Sequence, residues 1–444
     1  MTRRPRPRSS RRPVARTASP PGRPARLAAP ARLTRLAGRA CLALLAVAGA
    51  PAASADDAPH TNRDWPQFRG TERSGRGAGE GLARSWPAAG PRVAWRRPLG
   101  PGFSAVSVAG GGAFVLFGAG DKEYAARLDP ATGEEVWRTE IGPRFEEQFG
   151  NGPRSTPTVS GGRVYAFSST GLLHALDAAS GETVWTVDAQ QLGARVPMRG
   201  FCPSPLVEGD LIVLEVGAGE GKGVLALDEA TGTVRWSARD TPGGYSSPIA
   251  VTIDGVHQLV FVHTAGREIV SLLPDGTVHW THPWSPGAIA MPVFVPPNRI
   301  LVSASADVGA LMLEVGRGDG GEPQVTELWR SRLLKNHFSS SVHVDGYIYG
   351  FDMGTLRCLD AATGEPRWAH RGLGVGSLIA AEGLLFVLGD RGRLVLVEAT
   401  PEGYRELGSL QVFESRTWTA PSLADGRLYL RDHEELVCLE VGSG

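Results

Sequence analysis

Short stretches in which apolar and polar residues alternate recur along this chain at a regular distance. Four of them are "GGRVYAFSS" (161–169), "DGYIYGFD" (345–352), "EGLLFVLGD" (382–390) and "DGRLYLRD" (425–432). Each opens with a glycine turn, and alternation with a period of two is typical of a β-strand with one buried face. Short apolar stretches, rich in small residues and proline, begin at positions 105, 156, 204, 247, 291, 341, 377 and 420. The pattern predicts eight repeated units of β-structure.

A second phrase ends most units in a tryptophan. It occurs as "LDPATGEEVW" (128–137), "LDAASGETVW" (176–185), "LDEATGTVRW" (227–236) and "LDAATGEPRW" (359–368), shortened as "LLPDGTVHW" (272–280) and with an insertion at 313–329. The Asp starts a turn by accepting hydrogen bonds from main-chain NH groups ahead of it, and the Gly takes the positive φ that ends the turn. The Trp then lies on the returning strand, where its ring can fill space between packed sheets. We predict that these side chains dock neighbouring units: Trp95, Trp137, Trp185, Trp236, Trp280, Trp329 and Trp368.

The two ends of the repeat indicate how it closes. Each unit reads as four antiparallel strands with a period of roughly 40–50 residues, which is typical of a propeller blade. The last unit stops at "CLEVGSG" (438–444), before its tryptophan strand, whereas "RVAWRRPL" (92–99) precedes the first unit and belongs to none. We therefore predict an all-β fold, an eight-bladed β-propeller of four-stranded antiparallel blades, closed by an N-terminal strand that completes the last blade. The blade that begins at Gly376, with Leu407 near the tryptophan position, should be the least regular.

Three segments follow from this division: an export signal segment (1–55), an extended N-terminal arm (56–91) strapped over the ring, and the propeller (92–444). The first is rich in Arg and Pro and ends in the apolar run "CLALLAVAGAPAASA" (41–55), with an A-x-A site that predicts cleavage before Asp56. The run is too short and too rich in Ala to span a bilayer. Cys41 precedes the run, whereas a lipid-anchoring cysteine would follow it. We expect a periplasmic or secreted protein without a lipid anchor, exported by the general secretory or the twin-arginine route.

Charge and cysteine content exclude several classes of protein. Residues 1–55 contain 12 of the 46 basic residues and none of the 46 acidic ones, so the remainder carries a net charge of −12. This charge argues against binding of nucleic acid or of an anionic membrane. Cys202, Cys358 and Cys438 form no CxxC pair, which argues against a disulfide framework and a zinc site. We expect a monomer.

The repeated phrases resemble the pyrroloquinoline-quinone (PQQ) repeat over residues 92–444. That repeat builds the blades of eight-bladed quinoprotein dehydrogenases and of the outer-membrane assembly propeller BamB. The segments "DWPQFRG" (64–70), "SWP" (85–87), "GNGPRSTPTV" (150–159), "LKNHFSSSV" (334–342) and "EATPEGYRE" (398–406) are similar to a narrower group of secreted, uncharacterised PQQ-like propellers. The resemblance is specific for the fold and a poor guide to activity, because the tryptophan motif docks blades and does not bind cofactor.

The resemblance also implies what a quinoprotein dehydrogenase would contain. Those enzymes hold PQQ over the central channel, with Ca²⁺ bound by carboxylate and amide oxygens, an Asp as base and a vicinal Cys–Cys disulfide. This chain has no adjacent cysteine pair and no aligned Glu/Asn/Asp set for calcium, and it lacks the long inter-blade insertions. G-x-S-x-G, H-E-x-x-H and Walker motifs are also absent from the sequence. We therefore expect no catalytic residues, no metal and no cofactor.

Candidate binding residues precede the innermost strand of each blade, where loops surround one mouth of the channel. Function gathers on loops set by a rigid scaffold. Aromatic and basic side chains are concentrated there, and the candidates are Arg154, Arg199, Tyr245, Asn336, His337 and Trp418. Arg154 and His337 would supply positive or hydrogen-bonding groups, and Trp418 a stacking face. The alternative is that aromatic side chains plug the channel while the arginines pair with acids such as Glu146 and Glu147.

Three functions remain open at this point. The leading hypothesis is an exported, non-catalytic scaffold that binds a protein, peptide or glycan partner in the cell envelope. The first alternative is a PQQ-dependent dehydrogenase with Ca²⁺ that oxidises an alcohol or sugar. The second alternative is a sensor of a small anionic ligand, which predicts an open, basic mouth without metal ligands.

Overall fold

The computed structural model describes residues 63–79, 81–263, 266–284, 289–305 and 308–443, all of them in strands, turns and loops. The predicted export segment lies outside the described residues. Strands are numbered β1–β33 in chain order, beginning with β1 (Arg76–Gly77) and β2 (Arg92–Pro98) in the N-terminal part. The remaining strands form eight sheets, which we number blade 1 to blade 8 along the chain.

Blades 1 to 4 each contain four consecutive antiparallel strands. Blade 1 contains β3 (Ser107–Ala109), β4 (Gly112–Ala119), β5 (Lys122–Leu128) and β6 (Glu135–Pro143). Blade 2 contains β7 (Thr158–Ser160), β8 (Arg163–Phe167), β9 (Leu172–Asp177) and β10 (Thr183–Asp188). Blade 3 contains β11 (Leu206–Glu208), β12 (Leu211–Ala218), β13 (Lys222–Asp228) and β14 (Val234–Ala238). Blade 4 contains β15 (Ile249–Ile253), β16 (Val256–His263), β17 (Glu268–Leu272) and β18 (Val278–Pro283).

Blades 5 to 8 repeat the plan, with additions at blades 7 and 8. Blade 5 contains β19 (Val293–Val295), β20 (Arg299–Ala304), β21 (Gly309–Arg317) and β22 (Pro323–Ser331). Blade 6 contains β23 (Val342–Val344), β24 (Tyr347–Asp352), β25 (Thr355–Asp360) and β26 (Pro366–Arg371). Blade 7 contains β27 (Ser377–Ala381), β28 (Leu384–Leu388), β29 (Arg393–Glu398) and β30 (Glu406–Gln411), with β1 beside β27. Blade 8 contains β31 (Ser422–Ala424), β32 (Arg427–Arg431) and β33 (Glu435–Glu440), completed by β2.

The predicted fold class is confirmed. Strand β2 pairs antiparallel with β33, and Trp95 lies opposite Cys438 in that register. The N-terminal strand thus occupies the outer position that every other blade fills with its own fourth strand. This pairing covers the edge of β33 that the end of the repeat would otherwise expose.

Most of the repeat tryptophans contact the blade that follows their own. The indole NH donates to a main-chain carbonyl of the next blade in six cases: Trp95 to Pro130, Trp137 to Ala178, Trp185 to Glu229, Trp236 to Pro274, Trp329 to Ala361 and Trp368 to Thr400. Trp280 differs, because it donates to Gln258 Oε1 of its own blade at 2.7 Å. Blade 5 has the long insertion at the place of the Asp-x-x-Thr-Gly turn, so the usual carbonyl acceptor is missing there.

Blade 7 has no tryptophan on its outer strand. Gly408, one residue after Leu407, lies opposite Leu396 in the register that a tryptophan occupies in the other blades, and the arm fills the space. Trp86 is 9% exposed and packs on Phe386 of β28 with ring centroids 6.2 Å apart. The same geometry joins Trp185 to Tyr165 within blade 2, at 6.0 Å. The indole of Trp86 therefore takes the place of the missing blade-7 ring.

The arm also enters the central channel. Trp65 and Val108 of β3 exchange two main-chain hydrogen bonds of 2.8 Å, and β1 pairs in parallel with β27. Between these contacts the chain turns back, with the NH of Gly75 bonded to the carbonyl of Arg69 at 2.9 Å. Residues 65–77, which we call the channel loop, therefore lie against the innermost strands of the ring. The arm meets the ring at the turns that follow the inner strands, since the NH of Asp425 bonds to the carbonyl of Arg63.

Candidate functional site

Two buried arginines hold the channel loop in place. The Arg69 guanidinium donates to the carbonyls of Ser340 at 3.1 Å and Ser341 at 2.6 Å. The Arg73 guanidinium donates to the carbonyls of Ser204 at 3.2 Å, Pro248 at 3.1 Å and Pro205. Both side chains are 2% exposed, and burial lowers their pKa to about 10 and about 9. The two guanidinium groups thus anchor the loop to the inner segments of several blades, through hydrogen bonds to uncharged main-chain carbonyls.

Above the channel loop, toward the loops that lead into the inner strands, lies a cavity of about 220 Å³, which we call the cup. Its lining consists of Phe68, Arg69, Phe103, Glu147, Phe149, Arg154, Arg199, Cys202, Ser204, Tyr245, Ser247, Ile289, His337, Phe338, Ser339, Ser340, Ser377, Trp418 and Ala420. Phe68 and Arg69 come from the channel loop and form the floor. The arm therefore turns an open channel into a cup with one mouth.

Trp418 is the centre of an aromatic cluster on the wall of the cup. Its ring centroid lies 4.9 Å from that of Phe338, 6.2 Å from Phe103 and 6.4 Å from Phe149. The guanidinium of Arg416 stacks over its ring at 4.2 Å. Such an arrangement offers flat apolar surface with a cation at its rim.

Glu147 joins two of the predicted arginines. Its Oε2 lies 3.3 Å from Arg154 and its Oε1 lies 3.2 Å from Arg199, and its side chain is only 7% exposed. Arg154 also donates to the carbonyls of Gly150 and Gly152, at 2.8 and 2.9 Å. Both terminal nitrogens of Arg154 thus bond to protein acceptors, while the guanidinium of Arg199 stacks on Phe149 at 4.4 Å.

Burial suppresses charge on the other titratable groups of the lining. Burial lowers the pKa of His337, with Arg199 acting in the same direction, so its imidazole is neutral at pH 7. Burial also raises the pKa of the Tyr245 phenol. The pKa of the Cys202 thiol is raised to about 12, first of all by burial, so it stays protonated and is a poor nucleophile.

Five of the six candidate residues from the sequence line the cup: Arg154, Arg199, Tyr245, His337 and Trp418. Asn336 does not. Its side chain is buried between strands, where Nδ2 donates to the carbonyl of Phe351 at 2.8 Å and Oδ1 accepts from Ser341 at 3.0 Å and from Ser303. The alternative pairing of arginines with acids is present at Glu147, whereas Glu146 pairs with Arg144. Phe68 and Arg69 were missed, because they lie in the arm, where no repeat assigns a position.

A family model described as "Outer membrane protein assembly factor BamB" matches residues 121–370 and 321–444. These two matches span most of the propeller. The chain belongs to this family of PQQ-repeat propellers.

Relatives of this family agree with the match. The assembly factor BamB from Yersinia pestis is 26% identical over 312 residues, which cover 68% of this chain and 76% of that protein. The crystal structure of BamB from Moraxella catarrhalis superposes with a TM-score of 0.55 at 15% identity, covering 79% of this chain and 99% of that one. The quinohemoprotein alcohol dehydrogenase from Comamonas testosteroni superposes with a TM-score of 0.60 at 15% identity, covering 86% and 81%. At such identities the two structures show the fold alone.

The residues of the cup do not fit the calcium-bound PQQ of the dehydrogenases that share this fold. Glu147 is the carboxylate in its lining, and both of its oxygens face arginines. The amide of Asn336 is committed to its neighbours between the strands. Within the described ranges no group of three His, Cys, Asp or Glu side chains could hold a metal ion.

The residues of this chain that the structure describes contain no helix long and apolar enough to cross a membrane.

Proposed function

We propose that this protein is a non-catalytic scaffold of the cell envelope, and that the mouth face of its propeller binds a protein partner. The main support for the proposal is family membership, because the match spans most of the ring and the relatives are named for outer membrane protein assembly. The export segment predicted for residues 1–55 provides a route to the envelope.

The mouth face suits a partner better than the opposite face does. Long loops lead into the inner strands here, including residues 189–205 between β10 and β11, whereas turns of two or three residues follow the inner strands on the other face. Met198 in this loop is 73% exposed, next to Arg199 of the cup. An exposed methionine beside an aromatic and arginine-rich surface matches the composition of protein interfaces, where these residue types are enriched.

A site-specific photo-crosslinker tests this proposal. p-Benzoylphenylalanine replaces Met198 at the mouth or, as the control, Val184 on the outer strand β10, which is 47% exposed. After irradiation of cells of the native host, we expect discrete adducts with one or a few envelope proteins from position 198 and none from position 184. Adducts of equal yield at both positions, or none at 198 in the envelope fraction, contradict the proposal.

The dehydrogenase alternative has a direct test of its own. Calorimetric titration of the purified protein with PQQ and Ca²⁺ is combined with a dye-reduction assay on alcohols and sugars. We expect no alcohol-dependent dye reduction, because the cup offers no free carboxylate for calcium or for proton abstraction. Turnover in this assay overturns the scaffold proposal and makes the cup an active site.

A further inference from the structure

The floor of the cup contains a buried cation without a carboxylate partner. Arg69 lines the cavity and is 2% exposed, and its guanidinium donates only to main-chain carbonyls. Its Nε has no hydrogen-bond partner among the described residues. Burial of a charge costs free energy unless the charge is paired, and an unsatisfied buried donor adds to that cost.

A second unpartnered donor lies in the same lining. The hydroxyl of Ser339 is buried and has no partner in the described part of the chain. Ser339 precedes Ser340, whose carbonyl accepts from Arg69. Both unsatisfied donors belong to residues that line the cup, so an acceptor that enters the cup is the candidate partner for them.

The lining of the cup carries an excess of positive charge, which suits an anionic acceptor. Arg69, Arg154 and Arg199 line the cup with Glu147 as their counterpart, and His337 is neutral at pH 7. Because Glu147 already contacts both Arg154 and Arg199, the excess positive charge is left at the floor, on Arg69. The apolar walls strengthen attraction for an anion, since they lower the local dielectric constant.

Arg73 shows what a purely structural arginine looks like in the same loop. Its Nε donates to Gln67 at 2.8 Å, and its other nitrogens bond to three carbonyls, so each of its three nitrogens has an acceptor. Arg73 does not line the cup. Both arginines have a left-handed backbone, with φ of 67° at Arg69 and 54° at Arg73, so backbone conformation does not distinguish them. Anchoring of the loop accounts for Arg73, but it leaves the spare donor of Arg69 unexplained.

We propose that the cup binds a small aromatic carboxylate, with its carboxylate group on Arg69 and Ser339 and its ring against Trp418 and Phe338. This site is distinct from the partner surface proposed above, which lies on the loops around the mouth of the cup. The source of the ligand is either a free small acid or the carboxyl end of a peptide that enters the mouth, since both present the same chemistry. Charge-assisted hydrogen bonds from a guanidinium and ring stacking together would give the specificity.

The test uses pairs of ligands that differ only in charge. Benzoate and benzamide are titrated into the purified protein by calorimetry, and N-acetylphenylalanine and its amide form the peptide-like pair. We expect benzoate to bind at least about tenfold more tightly than benzamide, because the neutral amide loses the charged contact with Arg69. A preference confined to the second pair assigns the site to a peptide carboxyl end. Equal affinities within both pairs, or no binding of either acid, overturn the proposal without using any variant.

Variants then assign the site to its residues. Arg69→Met should abolish benzoate binding, whereas Arg73→Met, a control in the same loop, should retain it if both proteins keep the wild-type circular dichroism. Ser339→Ala should weaken benzoate about fivefold through loss of one donor, with little change in volume. Equal binding by wild type, Arg69→Met and Ser339→Ala overturns the proposal. Failure here leaves the crosslinking test at Met198 unaffected, because that position lies on the rim.

Discussion

At the scale of single residues, the joints between blades depend on pairs of one glycine and one tryptophan. A Cβ added to Gly133, Gly181, Gly232, Gly276 or Gly364 would lie 2.6–2.8 Å from the indole of the preceding blade. All five glycines have a positive φ between 71° and 86°. The turn therefore requires glycine twice, once for its backbone conformation and once for the close approach of the ring.

Gly181→Ala separates these two requirements. Gly181 has φ of 76° and would place a Cβ 2.6 Å from Trp137, so the substitution should lower the free energy of unfolding by about 2–4 kcal/mol. Gly255→Ala is the matched control, because Gly255 also has φ of 76° and no atom within 4 Å of such a Cβ. Its cost should stay near about 1 kcal/mol, the backbone part alone. Urea denaturation measures both, and equal losses would show that the indole contact contributes nothing.

At the scale of elements, the N-terminal part supplies three pieces that the repeat lacks. Strand β2 is the fourth strand of blade 8, Trp86 fills the ring position of blade 7, and the channel loop forms the floor of the cup. The first piece follows from the sequence, because a strand with Trp95 is missing at one end and present at the other. The positions of Trp86 and of the channel loop cannot be predicted in this way, since both lie in the arm, which has no periodic pattern.

Two truncations test the role of β2. A chain that begins at residue 92 retains β2, and a chain that begins at residue 100 lacks it, while both lack the arm. We expect the first to elute as a folded single species, less stable than the full protein. The second should aggregate, because it exposes the unpaired NH and C=O groups of β33 and the apolar surface that Trp95 covers. Size-exclusion chromatography with circular dichroism measures this, and identical elution and melting of the two chains would contradict it.

At the scale of the whole molecule, burial of basic groups makes stability depend on pH. His433 packs edge-on against Phe103, with ring centroids 4.4 Å apart. Burial lowers its pKa to about 4, with further lowering by Arg431, Arg416 and Arg154, while Asp432 opposes the shift. Burial likewise lowers the pKa of His174, His282, His337, His343 and His370. Their common direction means that the folded protein disfavours histidine protonation.

We expect the free energy of unfolding to fall as the pH drops from about 6.5 toward 4. The histidines of the unfolded chain have a pKa of about 6.5, so they bind protons in this window. His433 in the folded protein does not, because its pKa is lower, and protonation therefore favours the unfolded chain. Above about pH 7 the contribution of His433 to the free energy of unfolding is constant, and below about pH 4 it has been lost completely. His433→Gln should flatten the slope between pH 6.5 and 4 in urea denaturation series. A variant with an unchanged slope would show that His433 is not protected from protonation.

The candidate site shows where reasoning from sequence succeeds and where it ends. Arg154, Arg199, Tyr245, His337 and Trp418 were predicted to be neighbours because each precedes an inner strand, and the ring brings them to one cup. Asn336 also precedes an inner strand, yet its amide is bonded between strands. Neighbouring residues in a loop point in different directions, so a shift of one position decides which side chain faces the channel. Position along the repeat predicts proximity, and only packing decides orientation.

The sequence by itself determined the number of blades, their four-stranded plan and the closure by an N-terminal strand, because each of these is a periodic or countable property of the chain. Only the tertiary structure decided that the arm enters the channel, that Trp86 replaces the ring missing at Gly408, and that Arg69 lies at the floor of the cup without a carboxylate partner. These features come from contacts between segments far apart in sequence, such as Arg69 with Ser340 and Ser341. No local pattern encodes such contacts, since they exist only when the ring has closed around the arm.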